Sequence, residues 1–227
     1  MGLITGRLWI PMKKHLTVIA AFIALTGVGF TADSHEVSVV NAESALVTLK
    51  KGNATYVTSP MSSGKPTEAA RADSFKSQHP IAAIVTCSDS RTSPEIIFNQ
   101  NLNRLFVVRT AGNVVDDIGL GSVEYAVEHL GVRLIVVMGH QSCGAVKATV
   151  AGGHVPAHIN CIVNQIKPAV AEAKKEQGDL LANSIQCNAL RMAERIRNDS
   201  ALKNLSKEIK VVPAVYNLQT GKVQWLN

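Results

Sequence analysis

Short apolar segments alternate with helix-like segments along the middle of this chain, and that alternation most restricts the folds it can adopt. Each apolar segment consists largely of Val, Ile, Leu and Ala, as do strands that are buried on both faces of a sheet. These segments are residues 81–86, 104–109 and 133–138. Segments with helical spacing lie between and after them, at residues 119–130, 143–150, 157–177 and 179–197. The alternation predicts an α/β fold with a mostly parallel β-sheet flanked by helices.

Both ends of this region add further elements. Residues 41–51 carry apolar side chains at helical spacing, with Gly52 as a stop, and residues 68–77 predict a second helix. We therefore expect an N-terminal helical arm. At the other end, residues 209–218 form an apolar run, a QTGK turn follows, and the chain closes with VQWLN. This order predicts a last strand and a C-terminal β-hairpin.

Composition points to one globular domain, which we place at residues 33–227. Of the 227 residues, 46% are hydrophobic and 18% are charged, which is enough apolar material for a real core. The net charge of +6 includes three basic residues within residues 1–32, a segment without acidic residues. No basic run with interleaved aromatic residues is present, so we expect no nucleic-acid partner.

The N-terminal segment has the layout of a secretory signal peptide. Lys13 and Lys14 precede an apolar stretch at residues 16–30, which is short for a membrane span. We expect residues 1–29 to be the signal peptide, with cleavage between residues 29 and 32. The mature protein would then be periplasmic or secreted, without stable membrane association, and the alternative is an uncleaved membrane anchor.

The chain has four cysteines, and export would place them in an oxidising compartment. Cys161 and Cys187 lie in two predicted helices, where they could form a disulfide or remain free as small buried hydrophobic residues. Cys87 and Cys143 lie instead beside other polar residues that suit a metal site.

Two motifs at the ends of predicted strands predict that metal site. CSDSR at residues 87–91 follows the first apolar segment, and HQSC at residues 140–143 follows the third. Side chains at the carboxyl ends of parallel strands meet at one edge of the sheet. Cys87, His140 and Cys143 would supply two thiolates and an imidazole, which suit tetrahedral zinc with a fourth position left for water.

Asp89 and Arg91 add polar chemistry that a purely structural zinc site does not need. Thiolates acidify zinc-bound water less than imidazoles do, so a hydrogen-bond acceptor that orients hydroxide would be useful. Asp89 is near enough to Cys87 to serve as that acceptor. An ion pair with Arg91 would keep Asp89 ionised and would discourage it from binding the zinc itself.

These motifs and the sequences around them resemble the beta-class carbonic anhydrases. The resemblance extends over FVVRTAGNVV, SVEYAVEHLGV, VVMGHQSCGAV and the closing YNLQTGKVQWL, in that order. It implies one Zn²⁺ per subunit on the two cysteines and the histidine, with the Asp–Arg pair in catalysis. In the plant-like, open-site subgroup, water rather than the aspartate completes the zinc. The substrate-binding residues that the resemblance implies are Gln78, Phe106, Tyr125 and Gly144.

The resemblance also implies an activity and an assembly. An exported bacterial enzyme of this family would hydrate carbon dioxide reversibly to bicarbonate and a proton by means of zinc-bound hydroxide. It would form a homodimer or tetramer, with pocket residues shared across the interface and the N-terminal helix packed on the partner. Three alternatives remain open: a carbon disulfide or carbonyl sulfide hydrolase on the same scaffold, a non-catalytic zinc-stabilised interaction protein, and a thiol redox protein using Cys87 and Cys143.

Four places depart from the family pattern. Thr86 stands where glycine is common, and Thr92 with Ser93 replaces a more usual apolar pair. Pro213 stands at a position that is often glycine, and Ala111 is smaller than the usual valine. These departures concern the dimensions of the pocket and leave the metal ligands unchanged.

Overall fold

One sheet of five strands organises the chain. The strands are β1 (Ala82–Cys87), β2 (Leu105–Thr110), β3 (Leu134–His140), β4 (Lys210–Tyr216) and β5 (Val223–Trp225). Their order across the sheet is β2-β1-β3-β4-β5. Strands β1 to β4 pair in parallel, whereas β5 is antiparallel to β4. The predicted parallel sheet and C-terminal hairpin are confirmed.

Eight helices and a short 3-10 turn surround the sheet in the part of the chain that the computed structural model describes, residues 39–59, 67–205 and 207–227. The helices are α1 (Ala42–Thr58), α2 (Glu68–Ser74), α3 (Pro94–Ile97), α4 (Asp117–Glu128), α5 (Gly144–Ala151), α6 (Ala157–Ala173), α7 (Leu180–Arg197) and α8 (Ser200–Lys203). The 3-10 turn, Ala111–Asn113, follows β2 directly. The predicted signal peptide, residues 1–29, lies outside the described residues.

The two faces of the sheet are covered by different helices. Every residue of β1 and of β3 is buried, as the continuous apolar runs predicted. Alternate residues of β1 serve opposite faces: Ile84 packs in the layer that contains α1, and Val85 packs in the layer that contains α4 and α7. Side chains at the carboxyl ends of these strands are therefore held between two packed layers.

Helix α1 is longer than the sequence predicted, because Gly52 does not end it. The helix runs through Gly52 to Thr58. A Cβ at Gly52 would lie 1.9 Å from the carbonyl oxygen of Phe98, so the glycine permits a close backbone approach there. That the helix packs on a partner subunit stays a prediction. Its buried face, which includes Leu49, belongs to the same core cluster as β1 and β3 of its own chain.

Strands β1 and β3 extend one and two residues beyond their predicted ends, and both extensions include a predicted metal ligand. Cys87 is the last residue of β1 and pairs in register with Thr110. His140 is the last residue of β3 and pairs with Tyr216. Backbone pairing with neighbouring strands therefore fixes both positions. None of the helices that the structure describes is long and apolar enough to cross a membrane.

Candidate metal centre

Two thiols and an imidazole meet at the carboxyl edge of the sheet. Cys87 ends β1, His140 ends β3, and Cys143 immediately precedes α5. One ligand atom from each side chain lies within 4.8 Å of the others. All three side chains are buried, with Cys87 the most exposed at 5%. The sequence placed these residues together, and the structure brings them together.

The orientation of His140 fits a metal ligand. Its Nδ1 lies 2.9 Å from the carbonyl oxygen of Gln141. Because a carbonyl only accepts a hydrogen bond, Nδ1 carries the proton and Nε2 presents its lone pair. That Nε2 is buried without a hydrogen-bond partner among the described residues. A metal on Nε2 would satisfy an atom that is otherwise costly to bury, and histidine ligands commonly bond through their other nitrogen in this way.

The two thiols interact with each other as well. A hydrogen bond from the Cys143 thiol, the largest cause, lowers the pKa of Cys87, and hydrogen bonds from backbone groups lower it further, whereas burial opposes them. The same hydrogen bond, together with burial, raises the pKa of Cys143. Both effects describe one proton held between two sulfur atoms, and a cation that replaced it would bind two thiolates. This donor set fits zinc.

Asp89 lies beside this cluster and is held by Arg91. The Arg91 side chain donates from Nε to Oδ1 at 2.9 Å and from its terminal nitrogen to Oδ2 at 2.7 Å. The backbone N–H of Arg91 also donates to Oδ1 at 3.0 Å. These bonds, the guanidinium first, hold the pKa of Asp89 well below its usual range. Asp89 Oδ2 lies 3.9 Å from His140 Nε2, next to the place where a metal would bind.

The turn that presents Asp89 is fixed by two residues that sequence reasoning did not assign to the site. The buried hydroxyl of Thr92 donates to the carbonyl oxygens of Cys87 and Asp89, at 3.0 and 2.9 Å. Arg109 on β2 donates to the same two carbonyls, at 3.1 and 2.6 Å. In the sequence, Thr92 is only a departure from the family pattern. In the structure, its hydroxyl has two specific hydrogen-bond partners.

A backbone donor supports the first thiol. The N–H of Gly112, in the 3-10 turn after β2, donates to Cys87 Sγ at 3.2 Å. Sequence reasoning missed this contact because it depends on where the turn lies relative to β1. A glycine in an ordinary AGN tripeptide carries no local signal of such a role.

Three of the four predicted pocket residues lie at the other end of the sheet within one chain. Gln78 is exposed and lies before the amino end of β1. Cys87 is the last residue of β1, about 17 Å along the strand from its first residue. Phe106 pairs with Ala83 near the amino end of β1. The rings of Phe106 and Tyr125 are in contact, with centroids 6.2 Å apart. Within the described part of the chain, none of the three forms a hydrogen bond or ring contact with the metal cluster.

Gly144 is the fourth predicted pocket residue, and it does lie at the cluster. It is exposed, follows Cys143 directly and begins α5. A Cβ built on it would meet nothing within 4 Å, so there is open space in front of its backbone. The first N–H groups of a helix lack partners within the helix, which makes this backbone able to bind an anionic group.

The remaining two cysteines are free thiols. Cys161 is exposed on α6, and Cys187 is buried on α7. The Cys187 thiol lies 3.7 Å from Glu176 Oε1, and burial together with nearby acidic groups raises its pKa. Neither cysteine is bridged, but the alternative of two buried thiols holds only for Cys187, because Cys161 is exposed.

Comparisons with known proteins agree with this geometry. The carbonic anhydrase family profile matches residues 82–223. A carbonic anhydrase of Mycolicibacterium smegmatis is 45% identical over 140 residues, which is 60% of this chain and 68% of that protein. The structure of Coccomyxa beta-carbonic anhydrase in complex with acetazolamide is 28% identical, with a TM-score of 0.63, over 70% of this chain and 79% of that one. Tetrameric beta-carbonic anhydrases from Sordaria macrospora share the fold at 22% identity and a TM-score of 0.64, over 70% and 89%.

Proposed function

The chain belongs to the carbonic anhydrase family, with the fold of its beta class, and from this premise we propose how it hydrates carbon dioxide reversibly to bicarbonate and a proton. The observation that carries the proposal is the buried Cys87, His140 and Cys143 cluster with an ionised carboxylate held beside it. The alternatives of carbon disulfide or carbonyl sulfide hydrolysis, and of a non-catalytic zinc protein, have no support among these relatives.

Zinc is the metal that this donor set favours, because two soft thiolates and an imidazole select Zn²⁺ over hard cations such as Mg²⁺. We assign one ion per subunit to Cys87 Sγ, His140 Nε2 and Cys143 Sγ. When bound, zinc supplies a Lewis acid that lets water ionise near neutral pH. Three protein ligands leave one position for water, as in catalytic rather than structural zinc sites.

Asp89 orients the attacking water in this scheme. Its Oδ1 already accepts two hydrogen bonds from Arg91, whereas Oδ2 accepts one. A remaining lone pair on Oδ2 can accept a hydrogen bond from the nucleophile. That bond fixes the direction of the O–H group and leaves a lone pair on the nucleophile pointing at the carbon of the substrate.

Arg91 keeps the site open. A carboxylate 3.9 Å from a metal-binding nitrogen could become a fourth ligand and exclude water. The bidentate pair with Arg91 balances the negative charge of Asp89 and holds both its oxygens. The carboxylate therefore stays ionised without binding the metal. This favours the open-site form in which water completes the coordination.

A second copy of the chain supplies the rest of the substrate pocket in this proposal. Gln78, Phe106 and Tyr125 lie away from the cluster of their own chain, and Tyr125 is 47% exposed. Phe106 belongs to β2, which lies at one edge of the sheet, and the Tyr125 ring contacts it. In a homodimer or tetramer these residues would face the partner's metal centre, where Phe106 would form an apolar wall for carbon dioxide. Gly144, from the chain that holds the metal, would offer its backbone N–H to bicarbonate.

We also propose that the enzyme acts outside the cytoplasm. Support comes from the sequence alone, where two lysines precede an apolar stretch of signal-peptide length. Periplasmic or secreted enzyme would be released from the membrane once the leader is cleaved. Amino-terminal sequencing of protein recovered from the extracytoplasmic fraction would test this, and an uncleaved leader in the membrane fraction would contradict it.

Metal analysis combined with stopped-flow hydration tests the activity. We expect one zinc per chain, rapid carbon dioxide hydration, loss of that activity on chelation and its return with Zn²⁺. Carbon disulfide hydrolysis measured on the same preparation separates the rival hydrolase. Protein with one zinc per chain and no hydration of carbon dioxide would contradict the proposed function.

A further inference from the structure

Helix α7 contacts the metal cluster indirectly, through a buried asparagine. Asn188 has no exposed surface, and its Nδ2 donates to the carbonyl oxygen of Gly112 at 2.8 Å. The N–H of the same glycine donates to Cys87 Sγ at 3.2 Å. Gly112 is therefore bound at both its polar backbone groups. Its carbonyl accepts from Asn188 on α7, and its N–H donates to the sulfur of Cys87 on β1.

That residue lies in a turn that is strained without support. Gly112 has φ +69° and Asn113 has φ +46°, so two successive residues are in the left-handed region. A Cβ at Gly112 would approach Ile166 Cδ1 to 2.7 Å, so a larger residue would have to displace that side chain as well as adopt the left-handed conformation. Asparagine tolerates this conformation better than most residues but still at a cost, and such conformations persist when their surroundings hold them.

The asparagine is retained although part of its hydrogen-bonding capacity is unused. Asn188 Oδ1 and Asn113 Nδ2 are both buried without a hydrogen-bond partner among the described residues. An unsatisfied buried polar atom usually destabilises the fold, and an apolar residue at this position would avoid that cost. This cost is explained if the Asn188 side chain is needed for its Nδ2 group, which holds the Gly112 carbonyl.

We propose that Asn188 is a positioning residue for the Cys87 sulfur: by holding the Gly112 carbonyl, it keeps the Gly112 N–H directed at the sulfur that binds the metal. The inference rests on the proposed function, since it assumes a metal on Cys87. Hydrogen bonds around metal ligands orient those ligands and tune the metal, and removing one commonly lowers metal affinity about 10- to 100-fold.

Asn188→Ala tests the proposal on the full chain. Apoprotein prepared with a chelator would be titrated with Zn²⁺ against a competing chromophoric chelator. We expect Zn²⁺ affinity to fall about 10-fold or more. With Co²⁺ in place of Zn²⁺, we expect the sulfur-to-cobalt charge-transfer band to move to longer wavelength, because a thiolate that loses a hydrogen bond gives up electron density more readily.

Asn53→Ala is the matched control, since Asn53 is another buried asparagine. It is 7% exposed, donates to the carbonyls of Ile97 and Gly221 at 3.1 and 2.8 Å, and accepts from the Val223 N–H at 2.9 Å. Its loss should lower the unfolding temperature without moving the Co²⁺ band or the Zn²⁺ affinity. Equal effects of Asn53→Ala and Asn188→Ala on affinity and spectrum would overturn the proposal.

A second pair of variants keeps the test informative if Asn188→Ala does not fold. Asn188→Ser retains a small polar group that is too short to reach Gly112, and Ser184→Ala removes a buried hydroxyl one turn earlier on the same helix, where it donates to Leu180 at 2.7 Å. Only Asn188→Ser should weaken Zn²⁺ binding. Equal Zn²⁺ affinities would overturn the inference, whereas wild-type protein that binds no Zn²⁺ would overturn the proposed function itself.

Discussion

The two ends of the parallel sheet differ in how complete they are within one chain. At the carboxyl end, Cys87, His140 and Cys143 are buried together with Asp89 beside them. At the amino end, Gln78 is exposed and Tyr125 is 47% exposed. Binding the metal therefore depends on the fold of a single chain, whereas in the proposed oligomer a second copy helps to enclose the substrate.

The largest effect should come from breaking the carboxyl end. His140→Ala removes a wholly buried ligand, and two thiols alone cannot hold zinc in a catalytic geometry. We expect zinc content near zero and hydration at the background rate, measured by metal analysis and stopped-flow. Substituting the surface histidine in His79→Ala should leave both unchanged, and zinc retained in His140→Ala would refute the ligand assignment.

A smaller effect is expected when the carboxylate changes and the ligands do not. Asp89→Asn keeps the shape of the side chain but removes the acceptor charge that Arg91 holds. We expect one zinc per chain and a fall in kcat of about 10²- to 10³-fold, as for loss of a group that assists proton handling. Asp117→Asn, which removes an exposed carboxylate paired with Arg195 at 3.0 Å, is the control. Loss of zinc in Asp89→Asn would assign the carboxylate a structural role instead.

The amino end should behave differently if its residues act on the partner's site, as we propose. Gln78→Ala should retain zinc and lose about 10-fold in kcat/KM, the size expected for one substrate hydrogen bond. Refolding an equal mixture of Gln78→Ala chains, which keep about a tenth of wild-type activity, and Asp89→Asn chains should raise activity to about a quarter of wild type, because about half of random dimers are mixed and each mixed dimer holds one intact site. If Gln78 and Asp89 served the same chain's site, mixing would restore nothing.

The smallest effect on catalysis should follow from the turn that presents Asp89. Thr92→Val preserves volume but leaves the carbonyls of Cys87 and Asp89 with one donor fewer. We expect a loss of about 1–3 kcal/mol in unfolding free energy by chemical denaturation, with zinc retained and kcat lowered several-fold at most. Thr149→Val, whose hydroxyl bonds only within its helix, should cost less.

The sequence was sufficient to predict the parallel sheet and the groups at its carboxyl edge. Apolar runs that end in CSDSR and HQSC combine a strand signal with ligand chemistry, and strand ends meet by geometry. The supporting residues could not be predicted in the same way. Asn188 contacts Gly112 from a helix that lies 76 positions further along the chain, and nothing local distinguishes it from a surface asparagine.

Gly52 shows the same limit from the opposite side. As a local signal, a glycine after an apolar helical stretch predicts a helix end. In the structure the glycine is required by the backbone of Phe98, which only the tertiary fold brings close. A glycine is needed at this position, but the need arises from a tertiary contact and not from the end of a helix.

The position of β4 has a consequence for the order in which the active centre can be made. His140 is paired with Tyr216, and the N–H of Gln141 donates to the Tyr216 carbonyl oxygen at 2.8 Å. During synthesis, all the ligands are present once Cys143 is made, yet the strand that secures the His140 loop, β4, is made only later. Maturation must therefore wait for β4, and a chain truncated before β4 would retain every metal ligand without the neighbour that fixes one of them.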